Sequence, residues 1–112
     1  LAKAYSQNCF NKQFDLISMV FVLEHLSDPA SLLKLVRKDM NSESLIYIEV
    51  PDTLSFKHKP PDDDIFNSCH LWMFDPGSLV RLLEQCGFDT FNLQRTRTLR
   101  GHYTLMLLGG LK

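Results

Sequence analysis

The run Phe14-Asp15-Leu16-Ile17-Ser18-Met19-Val20-Phe21-Val22 is almost wholly apolar and stops abruptly on Leu23-Glu24-His25-Leu26-Ser27-Asp28-Pro29. An apolar stretch this short, β-branched at several positions, predicts a strand over Phe14–Val22 buried on both faces. Behind it, Ser27 or Asp28 supplies a helix cap, and Pro29 falls in the first turn, where a missing N–H costs nothing. In open α/β sheets, ligands gather at the carboxyl ends of parallel strands. The acid and the imidazole that close this strand, Glu24 and His25, therefore mark a site as well as a fold.

The rest of the chain continues that beginning. Leu32, Leu33, Val36 and Met40 recur at helical spacing and give one core face, until Asn41 to Glu43 break the helix. Leu45 to Val50 reads as a second strand, closed by Pro51-Asp52. Strand, helix and strand in this order make a right-handed crossover with parallel strands, which brings Glu24-His25 and Pro51-Asp52 to one rim. Residues 53–74 show no period and include Pro60-Pro61 and Asp62-Asp63-Asp64; a connection of this length is a lid, a binding loop or a disordered segment. Asp75 caps a second helix opened by Pro76, with Leu79, Leu82, Leu83 and Cys86 inward and Gly87 as its left-handed terminator. Phe88–Arg97 and Tyr103–Leu108 are the last strands, and the short link around Arg100-Gly101 makes them antiparallel. Residues 1–13 are loop or frayed helix.

The 112 residues make one domain at most. A formal net charge of −1 and a pI near 6.4 give no electrostatic case for a nucleic acid or an anionic membrane as partner. Arg95, Arg97 and Arg100 form a loose basic cluster that reads as a solvated strand end. Cys9, Cys69 and Cys86 are odd in number and form no C-x-x-C pair, which argues for reduced thiols in a cytoplasmic setting. No apolar run approaches the ~20 residues of a bilayer span, and no signal peptide is visible. The chain opens on Leu1 rather than Met, so we expect a piece of something longer or a trimmed product.

A parallel crossover, a long loop, a helix and an antiparallel terminal pair resemble the second half of a class I S-adenosylmethionine (SAM)-dependent methyltransferase. Three stretches carry the likeness. Phe14-Asp15-Leu16-Ile17 through Leu23-Glu24-His25-Leu26-x-Asp28-Pro29 resembles the fourth strand and following loop of small-molecule methyltransferases related to the ubiquinone-biosynthesis O-methyltransferases. Ile48-Glu49-Val50-Pro51 is similar to their fifth strand, and Phe74-Asp75-Pro76-x-Ser78-Leu79-x-x-Leu82-Leu83-x-x-x-Gly87-Phe88 to the helix and turn before their sixth. The resemblance implies a partial Rossmann-like sheet and SAM as cofactor. It also implies a glycine-rich turn and a ribose-binding acid that this chain lacks, since no glycine precedes Gly77. The expectation is thus the carboxyl-terminal half of an enzyme, inactive alone.

By the same resemblance, the backbone at Val20-Phe21 flanks the methionine part of the cofactor, and Glu24 and His25 face a small-molecule or carrier-bound acceptor. Methyl transfer from a sulfonium needs positioning of donor and acceptor, and a base where the acceptor is a hydroxyl or amine. His25 is the base candidate because imidazole titrates near neutral pH; the competing reading is a loop histidine that orders the turn. Glu24 is either an acceptor contact or a structural acid near a helix start. Some relatives bind a divalent metal here through a further acid, but Phe21 stands in its place and no metal is expected. His70, Trp72 and Phe74 either close over the acceptor or pack the loop onto the sheet. His58, Cys69, His70 and Asp62 to Asp64 match no closed metal site. The rival to an enzyme is a non-catalytic α/β interaction module or methyltransferase remnant. Either way, loss of neighbouring strands leaves Phe14–Val22 with an open apolar edge, which predicts self-association.

Overall fold

A computed structural model describes residues 12–55, 71–99 and 101–112. Its order is β1 (Leu16–Val20), a 3-10 turn (Leu23–His25), α1 (Pro29–Arg37), β2 (Leu45–Pro51), a second 3-10 turn (Thr53–Ser55), α2 (Pro76–Gln85), β3 (Phe88–Arg97) and β4 (Tyr103–Leu111). The strands form one mixed sheet in the order β1-β2-β4-β3. β1 and β2 are parallel, with Val20 beside Glu49, and β4 runs antiparallel to both β2 and β3. The elements begin and end where local chemistry requires. Asp28 caps α1 through the Ser31 amide at 3.1 Å, and Asp75 and Ser78 cap α2 reciprocally, with a Pro following each acid. Gly87, at φ 91°, leads out of α2 in the conformation that favours glycine.

The sheet is two-faced because strand side chains alternate. Met19, Ile48 and Leu107 are register neighbours on one face, joined there by Ile46, Val50 and Leu105. Leu33 and Val36 of α1 and Leu79 and Leu83 of α2 close the same core. Burying each such side chain contributes roughly 1.5–3 kcal/mol. Among the described residues no helix covers the other face, where Leu16, Val20 and Leu45 are exposed. Tyr47 and Glu49 form a polar pair on it, and the phenol that donates to the Glu49 carboxylate is pushed up to about 12.

This two-sidedness corrects the expectation of a strand buried on both faces over Phe14–Val22. The strand is five residues long, and Met19 alone is buried, while Leu16 is 57% and Val20 48% exposed. Among the described residues, β1 lies at the sheet edge and has helices on one side only. α1 also ends at Arg37, before Met40, in a turn whose Asp39 carbonyl accepts the Phe14 amide; Met40 stays buried as part of the connection. β4 runs three residues past Leu108, because Gly109 and Gly110 let it lie against β3 and the start of β2. Arg95 is exposed, as expected of a strand end, but its guanidinium also pairs with the buried Asp52. Cys86 is a free, buried thiol that burial pushes up, whereas Cys9, Cys69, His58 and Asp62 to Asp64 lie outside the described residues.

Candidate active site

Parallel pairing of β1 with β2 puts the exits of both strands on one rim. β1 leaves through Phe21, whose amide donates to the Glu49 carbonyl at 2.9 Å and whose φ is 56°. A bulky residue in the left-handed region is an outlier, costs on the order of 1–3 kcal/mol, and is held by its surroundings, as strained backbone at functional sites often is. The turn leaves the side chains of Val20 and Phe21 nearly half exposed at the strand's end. Nothing in the sequence signals that conformation, since phenylalanine does not favour it.

The next turn carries Glu24 and His25. The Glu24 side chain is 1% exposed, and burial pushes its carboxyl above the ordinary range, opposed by its own backbone amide and by His25. The His25 ring is 39% exposed, with Nε2 at 3.7 Å from the Glu24 carboxylate, within ion-pair range but too long for a hydrogen bond. The acid thus lies beneath the rim and the imidazole at its surface. Of the two, His25 is the side chain that reaches solvent, and Glu24 is the one that is buried.

The segment that returns from the long connection is tied to this turn by three bonds. The Glu24 carbonyl accepts the amides of Leu71 at 2.7 Å and Trp72 at 3.2 Å, and the Trp72 indole donates to the Leu26 carbonyl at 2.7 Å. Trp72 is therefore pinned to the turn while staying partly exposed. Phe74 is buried and packs into the core. Beside Trp72 opens an apolar cleft of ≈ 390 Å³ between the first turns of α1 and α2, with Ala30, Phe74 and Leu82 in its walls and Asp28 and Ser78 as its polar members. His25 is not among its walls. His70 lies outside the described residues.

The rim at the strand ends thus carries a partly exposed imidazole at its turn, and an aromatic segment is bonded to that turn. A family model described as "Methyltransferase domain" matches residues 2–93. The chain belongs to this methyltransferase family. No curated protein matches the chain in sequence. Among solved structures it is similar to a SAM-dependent methyltransferase of Thermotoga maritima, described as a possible histamine N-methyltransferase, at TM-score 0.72 and 17% identity over 90% of this chain and 57% of that one. It is also similar to the 1,6-didemethyltoxoflavin-N1-methyltransferase of Burkholderia thailandensis, solved with 1,6-didemethyltoxoflavin and S-adenosylhomocysteine, at TM-score 0.69 and 17% identity over 89% and 44%. LepI in complex with SAM matches at TM-score 0.66 and 16% identity over 90% of this chain but 27% of that one. At these identities the likeness is one of fold. The chain spans about a quarter to somewhat over half the length of these structures.

SAM is the cofactor of the family, and several neighbours were crystallised with it or with its demethylated product. The partly exposed side chains of Val20 and Phe21 at the carboxyl end of β1 are compatible with one edge of such a ligand. Neither a glycine-rich turn nor an acid at the end of a further parallel strand is present among the described residues.

Proposed function

We propose that this chain is the carboxyl-terminal, acceptor-side part of a SAM-dependent methyltransferase that acts on a small molecule or a carrier-bound metabolite. The observation that carries the reading is the capture of Leu71 and Trp72 by the Glu24 carbonyl, which joins the end of the loop after β2 to the turn after β1. When bound, SAM supplies an electrophilic methyl group on a sulfonium. Val20 and Phe21 flank its amino-acid end. His25 takes the proton from an acceptor hydroxyl or amine, with the buried Glu24 carboxyl 3.7 Å behind its Nε2. Trp72, with His70 from the same loop, contacts the acceptor and excludes water from the reacting atoms.

The reading assigns the remaining cofactor contacts to sequence outside these 112 residues. The isolated chain should therefore bind SAM weakly and be inactive, and its uncovered β1 edge should self-associate. Isothermal titration of SAM into the isolated chain and into the full-length protein tests this. Micromolar affinity in the full-length protein with only marginal heat in the isolated chain is the expected pattern. Micromolar binding to the 112 residues alone, or none to the full-length protein, overturns it.

A further inference from the structure

Asp52 stands where the long connection both leaves and returns. Its amide donates to the Tyr103 carbonyl at 3.0 Å, and its carboxylate accepts the Leu54 amide at 3.1 Å. The next residue, Thr53, donates to the Phe74 carbonyl at 2.9 Å, and Asp52 itself forms a parallel bridge with Phe74. The fully buried Asp52 carboxylate thus holds the outgoing leg, residues 53–55, through the Leu54 amide, and the backbone at Asp52 and Thr53 holds the incoming leg, residues 71–74, at Phe74. A buried anion is costly unless it is paired and hydrogen-bonded. Arg95 supplies the pairing from β3, two strands away. Its Nε donates to Oδ2 and its Nη2 to Oδ1 at 3.2 Å, a two-pronged fork. That geometry fixes the plane of the carboxylate as well as its charge, which lysine cannot do. Arg95 faces its β4 partner Leu105, itself opposite Val50, so the fork reaches Asp52 along the helix-bearing face, with the Arg95 side chain as a whole 42% exposed.

We infer that Arg95 is a positioning residue: by orienting the Asp52 carboxylate it sets the outgoing leg of the connection after β2, and, through the backbone bonds from Asp52 and Thr53 to Phe74, the incoming leg that carries Trp72. An apolar pair in the same positions would fill the space but would not orient the Leu54 amide. The consequence for the acceptor rests on the proposed function; the structural claim does not.

The test is amide hydrogen exchange in the full-length protein for the wild type, Arg95→Met and Arg95→Lys. Arg95→Met is expected to speed exchange about tenfold or more at Thr53, Leu54, Leu71 and Trp72, while amides of α1 and the centre of β2 keep their rates, since local opening is separable from global unfolding. Arg95→Lys, which keeps the charge and loses the fork, should fall between the two and remain folded if Arg95→Met does not. SAM titration of the same variants should be unchanged, because the β1 turn does not depend on the fork. A uniform rise across the chain, no rise at the two legs, or full rescue by lysine overturns the inference. Absence of SAM binding in the wild type would count against the proposed function and leave the exchange result to stand or fall by itself.

Discussion

Replacing Gly109 with alanine is the perturbation whose cost the structure sets most directly. Gly109 lies on β4 opposite Thr90, at the bulge where β3 shifts register between Thr90 and Asn92. A Cβ built there comes closer to the Asp89 carbonyl oxygen than the 3.0 Å that real Cβ atoms keep. The obstacle is backbone, so β3 must move away from β4 or break its pairing beside the fully buried Phe88. Overpacking of this kind costs typically about 1–3 kcal/mol. The lower backbone entropy of alanine in the unfolded chain offsets about 0.4–1 kcal/mol of that. Gly110, the next residue, is the control. Its Cβ would meet ring carbons of Phe91 at 2.9 Å, but that ring is 59% exposed and can swing aside, and the Ser44 carbonyl oxygen is at 3.2 Å. Gly110→Ala should therefore change stability by less than about 1 kcal/mol. Urea unfolding reads the difference. With a slope of about 1–3 kcal/mol/M, Gly109→Ala should lower the midpoint by up to about one molar at unchanged slope, and Gly110→Ala should lower it by less. Coincident midpoints, or a larger loss at Gly110, would refute the view that backbone contact rather than side-chain crowding limits this sheet.

Two further outcomes follow from the site and the open edge. Burial raises the Glu24 carboxyl above its unfolded value, so the native state favours the protonated acid; the stability this contributes is complete below the unfolded value and is lost as pH rises through the folded one. Glu24→Gln, which cannot ionise, should match the wild type in acid and exceed it increasingly toward neutral pH in thermal melts, and a pH-independent difference would sink the argument. Self-association of the isolated chain through β1 should appear as concentration-dependent mass in sedimentation and be weakened by Val20→Lys, a charge placed on an open strand edge; a wild-type chain that stays monomeric at high concentration counts against it.

The local signals of this chain were readable in its sequence because their causes lie within a few residues. Asp28-Pro29 and Asp75-Pro76-x-Ser78 start helices through caps three residues apart, and Gly87 leads out of the second one with a positive φ. The strand, helix, strand order sufficed for parallel pairing of β1 with β2, and hence for the shared rim, because a chain cannot return to a parallel neighbour without a crossover. That part of the candidate site, the turn with Glu24 and His25, could be placed before any coordinates.

Other features depend on groups brought together from far apart in the chain, and only the tertiary structure decided them. Arg95 and Asp52 are separated by 43 positions, and neither carries a mark in sequence that it will meet the other. The Trp72 indole finds the Leu26 carbonyl across 46 positions. The apolar run around β1 specified a strand but not how many of its faces are covered, which depends on where the helices pack. Glu24 and His25 are adjacent in sequence and opposite in exposure, because a 3-10 turn sends one side chain inward and the next to the rim. Hydrogen-bond caps and strand order are local or topological quantities, which a sequence states directly. Burial, and the ion pairs that burial demands, are properties of the packed whole.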